Sequence, residues 1–401
     1  MFKNIFIQRI FPLIISLLFS YYIVITGLLT ISNTDTCATK LVNNNIKKTF
    51  HYSNYKKNNS VEGVVSAIKS KNTILLVGSS EMGTAKTDIA ARPDLFFQKY
   101  KTKFSVVTLG HDGNQCMSIY TQLLVFSKYL KNSKISVIVS PGWFEGHFAY
   151  GTSLDRFLEY NNENFINEIY SNIDIPYNLK NYVSKYIYEK YNDLISPSIL
   201  YKSIACNYKA DLNFLNKIAL TPLLKYYKIT KNNNILPAVN ETLIVDYDIN
   251  NCDYGVVNWD SLYIKAIKHQ KEISTNNTWG IYNDYYTNRT KGKTSKERVI
   301  AVNKNRELKD FKKVLELFKY YNVDASFIIQ PLNPYAYSNL IDYKPILSEV
   351  EKTIKEYNYP YINLFVYDTA KYKIGTLTDV MHFGEYGWLK ADKFLIDTYE
   401  K

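Results

Sequence analysis

The sequence predicts an α/β fold, a parallel sheet with crossover helices, held outside a membrane by one N-terminal spanning segment. Three observations lead there. Short β-rich apolar runs alternate with amphipathic stretches in two blocks, residues 73–140 and 308–399, which is the rhythm of strand and crossover helix. Between the blocks, residues 145–300 are rich in Tyr and Asn and lose that rhythm, as an inserted helical and loop region would. At the start, residues 10–33 carry no charge.

Taken in order, Lys3 and Arg9 precede the uncharged stretch, which is long enough to cross the ~30 Å hydrocarbon core as a helix, with Pro12 in its first turn. It exceeds the apolar region of a signal peptide and no clean small-x-small cleavage site follows, so an uncleaved anchor is expected. The positive-inside rule puts residues 1–9 in the cytoplasm and everything after about Thr36 outside. Residues 34–70 read as a polar juxtamembrane connection that includes Lys56-Lys57-Asn58-Asn59-Ser60, and residues 71–401 as one extracytoplasmic domain with the insertion inside it. Strands are expected at 73–77, 104–109, 135–140, 325–329 and 361–365. Helices are expected at 117–130, 157–170, 179–191, 308–318, 346–357 and 389–399.

The chain has 401 residues and a net charge of +12, with 49 Lys and Arg against 37 acids. A basic exterior suits an anionic polymer or lipid head groups, although a chain this rich in Lys, Asn, Ile and Tyr also has the composition of an AT-rich genome. A tethered outside domain argues against nucleic acid as a partner. Cys37, Cys116, Cys206 and Cys252 form no Cys-x-x-Cys pair, and Asn33-Thr34-Asp35-Thr36 is too polar for a lipidation box before Cys37. Whether any two of them form a disulfide is open. No His-Glu-x-x-His or carboxylate cluster calls for a metal.

Two stretches carry chemistry. Gly78-Ser79-Ser80-Glu81 follows the apolar run ending at Val77, so Gly78 permits a sharp turn that leaves Ser80 at the C-terminal edge of a sheet. Asp379-Val-Met-His382-Phe-Gly384-Glu-Tyr-Gly387-Trp388 lies just before the last helix and supplies an imidazole with a carboxylate three residues earlier. A serine hydroxyl is a poor nucleophile at neutral pH; it needs a base to take its proton, and the base needs a third group to fix its tautomer. Ser80, His382 and Asp379 fit those roles. Alone, Ser80 would read as a turn or N-cap serine. Gly78 and Gly83 have Walker A spacing, but Thr84-Ala85 stand where Lys and Ser or Thr are needed. His111, His147 and His269 have no acidic partner at useful spacing and read as structural or exposed.

This order resembles the SGNH hydrolase superfamily, whose serine follows the first strand and whose Asp-x-x-His pair precedes the last helix. More closely, the chain resembles the DltD family, membrane-anchored proteins of teichoic-acid D-alanylation. The resemblance rests on the N-terminal anchor, Gly78-Ser79-Ser80-Glu81, Gly110-x-x-Gly113-x-Gln115, Ser140-Pro141-Gly142-Trp143-Phe144, and Asp379-x-x-His382 with Gly384 and Gly387-Trp388. It implies an SGNH-hydrolase-like, flavodoxin-like fold of three layers, with Ser80 as nucleophile, His382 as base and Asp379 as its orienter. It also implies an oxyanion hole from the N–H groups of Ser80 and Gly113.

The superfamily's oxyanion asparagine has no clear counterpart, since Gly142 stands where a larger polar residue is expected. Asn114 is next to Gly113, and Asn333 follows a strand and either lines the site or forms a turn between two prolines. Ser79 and Glu81 flank the nucleophile, Trp143 is expected to line the site, and Trp388 to pack in the core.

The implied activity is an extracytoplasmic serine acyltransferase, or a thioesterase-like protein, that moves D-alanine onto teichoic acid through a D-alanyl-Ser80 ester without metal or diffusible cofactor. The implied partners are teichoic acid and the D-alanylation machinery, including the membrane acyltransferase and the D-alanyl carrier protein. An SGNH esterase or O-acetyltransferase acting on a cell-wall glycan shares the triad, and a non-catalytic scaffold of the same machinery shares the family.

Overall fold

The computed structural model describes residues 15–16, 18–22, 46–52, 62–82, 89–100, 102–161, 163–195, 198–210, 245–248 and 256–400. Of the expected anchor, 15–16 and 18–22 are helical, with Leu18, Phe19 and Tyr22 each 62% exposed. The rest of 10–33 lies outside the described residues, as do 1–9, Cys37, Lys56 to Ser60, Gly83, Thr84, Ala85 and Cys252. Among the described residues no helix is long and apolar enough to cross a membrane.

Seven strands form one sheet: β1 (Ile46–Tyr52), β2 (Thr73–Val77), β3 (Ser105–Leu109), β4 (Lys134–Val139), β5 (Val245–Asp248), β6 (Asp324–Ile329) and β7 (Tyr361–Asn363), in the order β5-β1-β3-β2-β4-β6-β7. All neighbours are parallel except β5, which runs antiparallel to β1. The helices are α1 (Glu62–Lys69), α2 (Pro93–Lys99), α3 (Cys116–Val125), α4 (Leu154–Tyr160), α5 (Glu163–Ser171), α6 (Tyr177–Lys190), α7 (Ile199–Ala210), α8 (Trp259–Ile273), α9 (Arg306–Tyr321), α10 (Lys344–Glu356) and α11 (Glu385–Tyr399).

β2 and β3 are buried at every position, as strands covered on both faces must be. Ile74, Leu76, Val106, Ile138 and Ile328 face α2, α8 and α11, where Phe96, Leu262, Ala266, Trp388 and Leu395 join them. Each fully buried Val, Leu, Ile or Phe among them contributes about 1.5–3 kcal/mol over its exposed state. On the opposite face, Phe327 lies 5.8 Å from Phe311 and 6.2 Å from Phe318 of α9, ring centre to ring centre. α9 forms because Leu308, Phe311, Val314, Leu315 and Phe318 recur at helical spacing; Asn305 caps its start by accepting from Leu308 N–H at 3.0 Å, and Asn322 ends it in the left-handed region at φ +52.

Two expectations need correction. Residues 34–70 are not all connection: they supply β1, next to β3, and helix α1. Nor are 145–300 one insertion. The chain divides into two compact units, one of residues 1–41 and 163–235, the other of 42–162 and 236–401. The first contains α5 to α7, where the Tyr170 hydroxyl donates to the Lys180 carbonyl at 3.0 Å and Lys180 Nζ donates to the Asn172 carbonyl at 2.6 Å. α4 and α8 belong to the sheet unit instead, and the expected helix over 157–170 is two helices.

From β2 the chain crosses to β3 on one side, and from β3 to β4 on the other. The connections therefore part at the C-terminal end of β2, where open α/β sheets form a crevice.

Candidate active site

Ser80 stands in that crevice. Gly78 ends β2, its N–H donating to the Leu109 carbonyl at 3.0 Å, and the chain then turns through a 3-10 element, Ser80–Met82. The turn folds Glu81 back beneath itself: Glu81 Oε1 accepts from Ser79 N–H at 2.6 Å, and a Cβ on residue 78 would sit 2.3 Å from that oxygen. A side chain at 78 would have to displace the ends of Glu81 and Met82. Ser79 is buried and its hydroxyl donates to the His111 carbonyl at 3.4 Å, which leaves Ser80 as the residue at the tip.

The loop carrying Asp379 and His382 is held from several sides. Thr378 N–H donates to the His382 carbonyl at 2.9 Å, Asn333 N–H donates to the Val380 carbonyl at 2.9 Å, and the Gln330 amide donates to the Met381 carbonyl. Asp379 Oδ1 accepts from Met381 and His382 N–H at 2.9 and 2.8 Å. That orients Oδ2, which lies 2.8 Å from His382 Nδ1. An ionised carboxylate can only accept, so Nδ1 carries the proton and Nε2 is left with a lone pair. Nε2 lies 3.0 Å from Ser80 Oγ.

Burial works against a charged imidazole at His382. The hydrogen bond to Asp379 and the charges of Asp379, Glu81 and Asp112 outweigh it, so His382 titrates above its usual value. Glu81, 1% exposed, is pushed up by burial, an effect that the Ser79 N–H, its own N–H and the imidazole reduce.

Gly113 lies past the end of β3 at φ +76, and among the described residues nothing accepts from its N–H. Asn114 does not face the site. Its side-chain N–H donates to the Gly78 carbonyl at 2.9 Å and its Oδ1 accepts from Gln122 at 2.9 Å, so the fully buried amide ties the two strand ends together. Asn333 is likewise engaged in its turn: it donates to the Trp279 carbonyl at 3.0 Å and accepts from Tyr335 N–H at 2.9 Å. Trp143 is buried in the turn Pro141–Phe144, and Trp388 is fully buried with its ring 4.7 Å from Phe383.

Several groups at this edge escaped the sequence reading. Arg156 of α4 packs its stem on Gly113 and pairs with Asp112 at 2.5 Å and Glu159 at 2.9 Å. Asp112 falls inside the Gly110-x-x-Gly113 segment, but nothing in the sequence joins it to Arg156. Glu145 follows the Pro141–Phe144 turn, is 7% exposed, and its Oε2 has no hydrogen-bond partner among the described residues. Burial, then the charge of Glu297, pushes Glu145 up to about 8. The half-buried Tyr285 hydroxyl is pushed up to about 12 by burial and then by Asp379. His269 does have an acidic partner: its Nδ1 lies 3.0 Å from Glu385 Oε2, and Glu385 Oε1 accepts from Ile89 N–H at 2.8 Å.

The arrangement sets an imidazole nitrogen beside a serine hydroxyl and a carboxylate behind that imidazole. A family model described as DltD protein matches residues 49–400. Among similar proteins, Protein DltD of Staphylococcus aureus is 22% identical over 324 residues, 79% of this chain and 78% of that protein. Protein DltD of Lacticaseibacillus rhamnosus is 23% identical over 359 residues, 83% of this chain and 78% of that protein.

Proposed function

We propose that this chain, which belongs to the DltD family and so to the D-alanylation of teichoic acid, is an extracytoplasmic serine acyltransferase that moves D-alanine onto the polymer through an acyl-Ser80 ester. The observation that carries the reading is the unbroken relay from Ser80 Oγ to His382 Nε2 at 3.0 Å and from Nδ1 to Asp379 at 2.8 Å. The serine at the end of a central strand, with base and acid together before the last helix, supports an SGNH-like architecture.

In the first half-reaction His382 Nε2 takes the Ser80 proton as Oγ attacks an activated D-alanyl carbonyl. The N–H groups of Ser80 and Gly113 hold the oxyanion, each such donor worth about 3 kcal/mol in the transition state. The carbonyl re-forms, the leaving group departs with the proton from the imidazolium, and an ester remains on Ser80. In the second half, His382 takes the proton of a polymer hydroxyl, that oxygen attacks the ester carbonyl, and Ser80 leaves with the proton returned.

Residues 10–33 anchor the chain in this scheme and place the site at the outer membrane face. Donor delivery falls to the membrane acyltransferase and carrier protein of the same machinery.

The test is ester-linked D-alanine on the envelope of cells lacking the protein, complemented with wild type or Ser80→Ala. Restoration by wild type alone is expected. Equal restoration by both would remove Ser80 as nucleophile and leave a scaffold, and D-alanine unchanged throughout would point to an esterase or O-acetyltransferase acting on a cell-wall glycan.

A further inference from the structure

Three residues past the base, Glu385 opens α11 and is 5% exposed. Its two oxygens have different partners. Oε1 accepts from Ile89 N–H at 2.8 Å, and Oε2 lies 3.0 Å from His269 Nδ1. An ionised carboxylate can only accept, so the imidazole is the donor there. Ile89 follows Ser80 by nine positions, on the chain that leaves the nucleophile turn, and His269 lies in the second half of α8. One buried side chain thus joins the chain that carries the serine to the helix that follows the base, and both to α8.

A shift at Glu385 reaches His382 with little slack, because the loop before α11 is closed on itself. Leu377 bridges Phe383, Thr378 N–H donates to the His382 carbonyl at 2.9 Å, and Gly384 N–H donates to the Thr376 carbonyl at 3.0 Å. A Cβ on residue 384 would lie 2.4 Å from the Gly375 carbonyl, so the start of α11 is in backbone contact with the segment that enters the loop. Loop and first helical turn are therefore one packed body.

The bonds that hold this loop from outside run away from the serine. Val380 and Met381 are held from Asn333 and Gln330, past the end of β6, and Thr378 from Tyr282. In the sheet β4 stands between β6 and β2. Those bonds locate the base relative to β6, whereas the bond from Ile89 locates it relative to the chain of Ser80. The distinction matters because the relay is a 3.0 Å contact between residues 302 positions apart, and a misplacement of about 1 Å can cost about 100-fold in rate.

We infer that Glu385 is a positioning residue for the reaction: by holding Ile89 on one oxygen and His269 on the other, it sets Ser80 and His382 at reacting distance, and His269 acts through it. This rests on the acyl-Ser80 reading above and adds to it the side chain that brings the two halves of the relay into register.

The test reads the reactivity of the serine with a fluorophosphonate, which Ser80 Oγ attacks with loss of fluoride. The full chain in detergent is labelled as wild type, Ser80→Ala, Glu385→Ala, Glu385→Asp, Glu385→Gln, His269→Ala and the Glu385→Ala/His269→Ala double variant, each well below its own Tm. Glu385→Ala is expected to lower kinact about 10- to 100-fold with KI unchanged. Glu385→Gln, which still accepts from Ile89 and can donate to the other imidazole tautomer, should recover most of that loss. His269→Ala should cost about 3- to 10-fold, and nothing further once Glu385 is Ala. Glu385→Asp, one methylene too short to reach both partners, carries the same expectation as Glu385→Ala should the latter not fold. A folded Glu385→Ala or Glu385→Asp with the wild-type kinact, a loss that Glu385→Gln shares in full, or a change confined to KI would overturn the inference while Ser80→Ala stays unlabelled. Labelling of wild type and Ser80→Ala alike would overturn the acyl-Ser80 reading and the inference with it.

Discussion

Replacing Glu145 by Gln should make the protein more stable relative to wild type as the pH rises. Glu145 is 7% exposed, its Oε2 has no partner among the described residues, and burial together with Glu297 raises its pKa from 4.5 to about 8. Between those values the folded chain keeps a proton that the unfolded chain releases. Wild type therefore loses stability with rising pH, by about 1.4 kcal/mol per pH unit from this group while the difference lasts. The loss begins above the unfolded value and is complete once pH passes the folded one. Gln keeps the shape and carries no such dependence. From pH 6 to pH 8 the gap between variant and wild type should widen by about 2–3 kcal/mol, a shift of several degrees in relative Tm. Thermal unfolding of both proteins at half-unit steps from pH 5.5 to 8.5 reads it directly. Glu297→Gln should shrink the effect, because it removes the second cause. Parallel curves for wild type and Glu145→Gln would show that Glu145 is ionised in the folded protein and that this account of the turn after β4 is wrong.

Two further outcomes follow from the same geometry. His382 must be neutral to take a proton and its pKa is raised, so the rate of Ser80 acylation should climb with pH through an inflection above 6.5; Glu81→Gln removes one of the causes and should move that inflection down, as a stopped-flow pH series would reveal. In α11, a Cβ at Gly387 would lie 2.2 Å from the Thr376 carbonyl and 2.7 Å from the Phe383 ring. Gly387→Ala should cost about 1–3 kcal/mol of stability by overpacking and, by displacing the loop of His382, about 100-fold in acylation; a normal rate in the folded variant would contradict that linkage.

The strands that the sequence made legible are those whose side chains are buried on both faces, since burial there selects Val, Ile and Leu in unbroken runs. β1 and β5 were not legible. Lys47-Lys48 interrupts one, and Asp246 and Asp248 bracket Tyr247 in the other, so neither shows an apolar run. α8 hid for a related reason: among its described core positions are Leu262, Ala266 and Gln270, set in a Tyr- and Lys-rich stretch that reads as surface. At the site, Ser80, Asp379 and His382 could be picked out because the chemistry restricts the residue types and the acid lies close to the base in sequence. The Arg156 to Asp112 pair spans 44 residues and the His269 to Glu385 pair 116, and such partners meet only through the fold. Asn114 misleads in the opposite way: its place beside Gly113 looks functional, while its amide is bound inward to Gly78.

The separation of 302 positions between Ser80 and His382 also puts the site under a clock. A ribosome adding about 5–20 residues per second needs roughly 15–60 s to cover that distance. Throughout that interval the serine exists without its base, and it stays an ordinary alcohol until β6, β7 and the loop before α11 have been made and have closed the sheet. A chain halted or clipped before Asp379 would display the serine turn and remain inert. In the proposed scheme, reactivity would thus serve as a certificate of completion, issued only to a molecule whose last helix has docked.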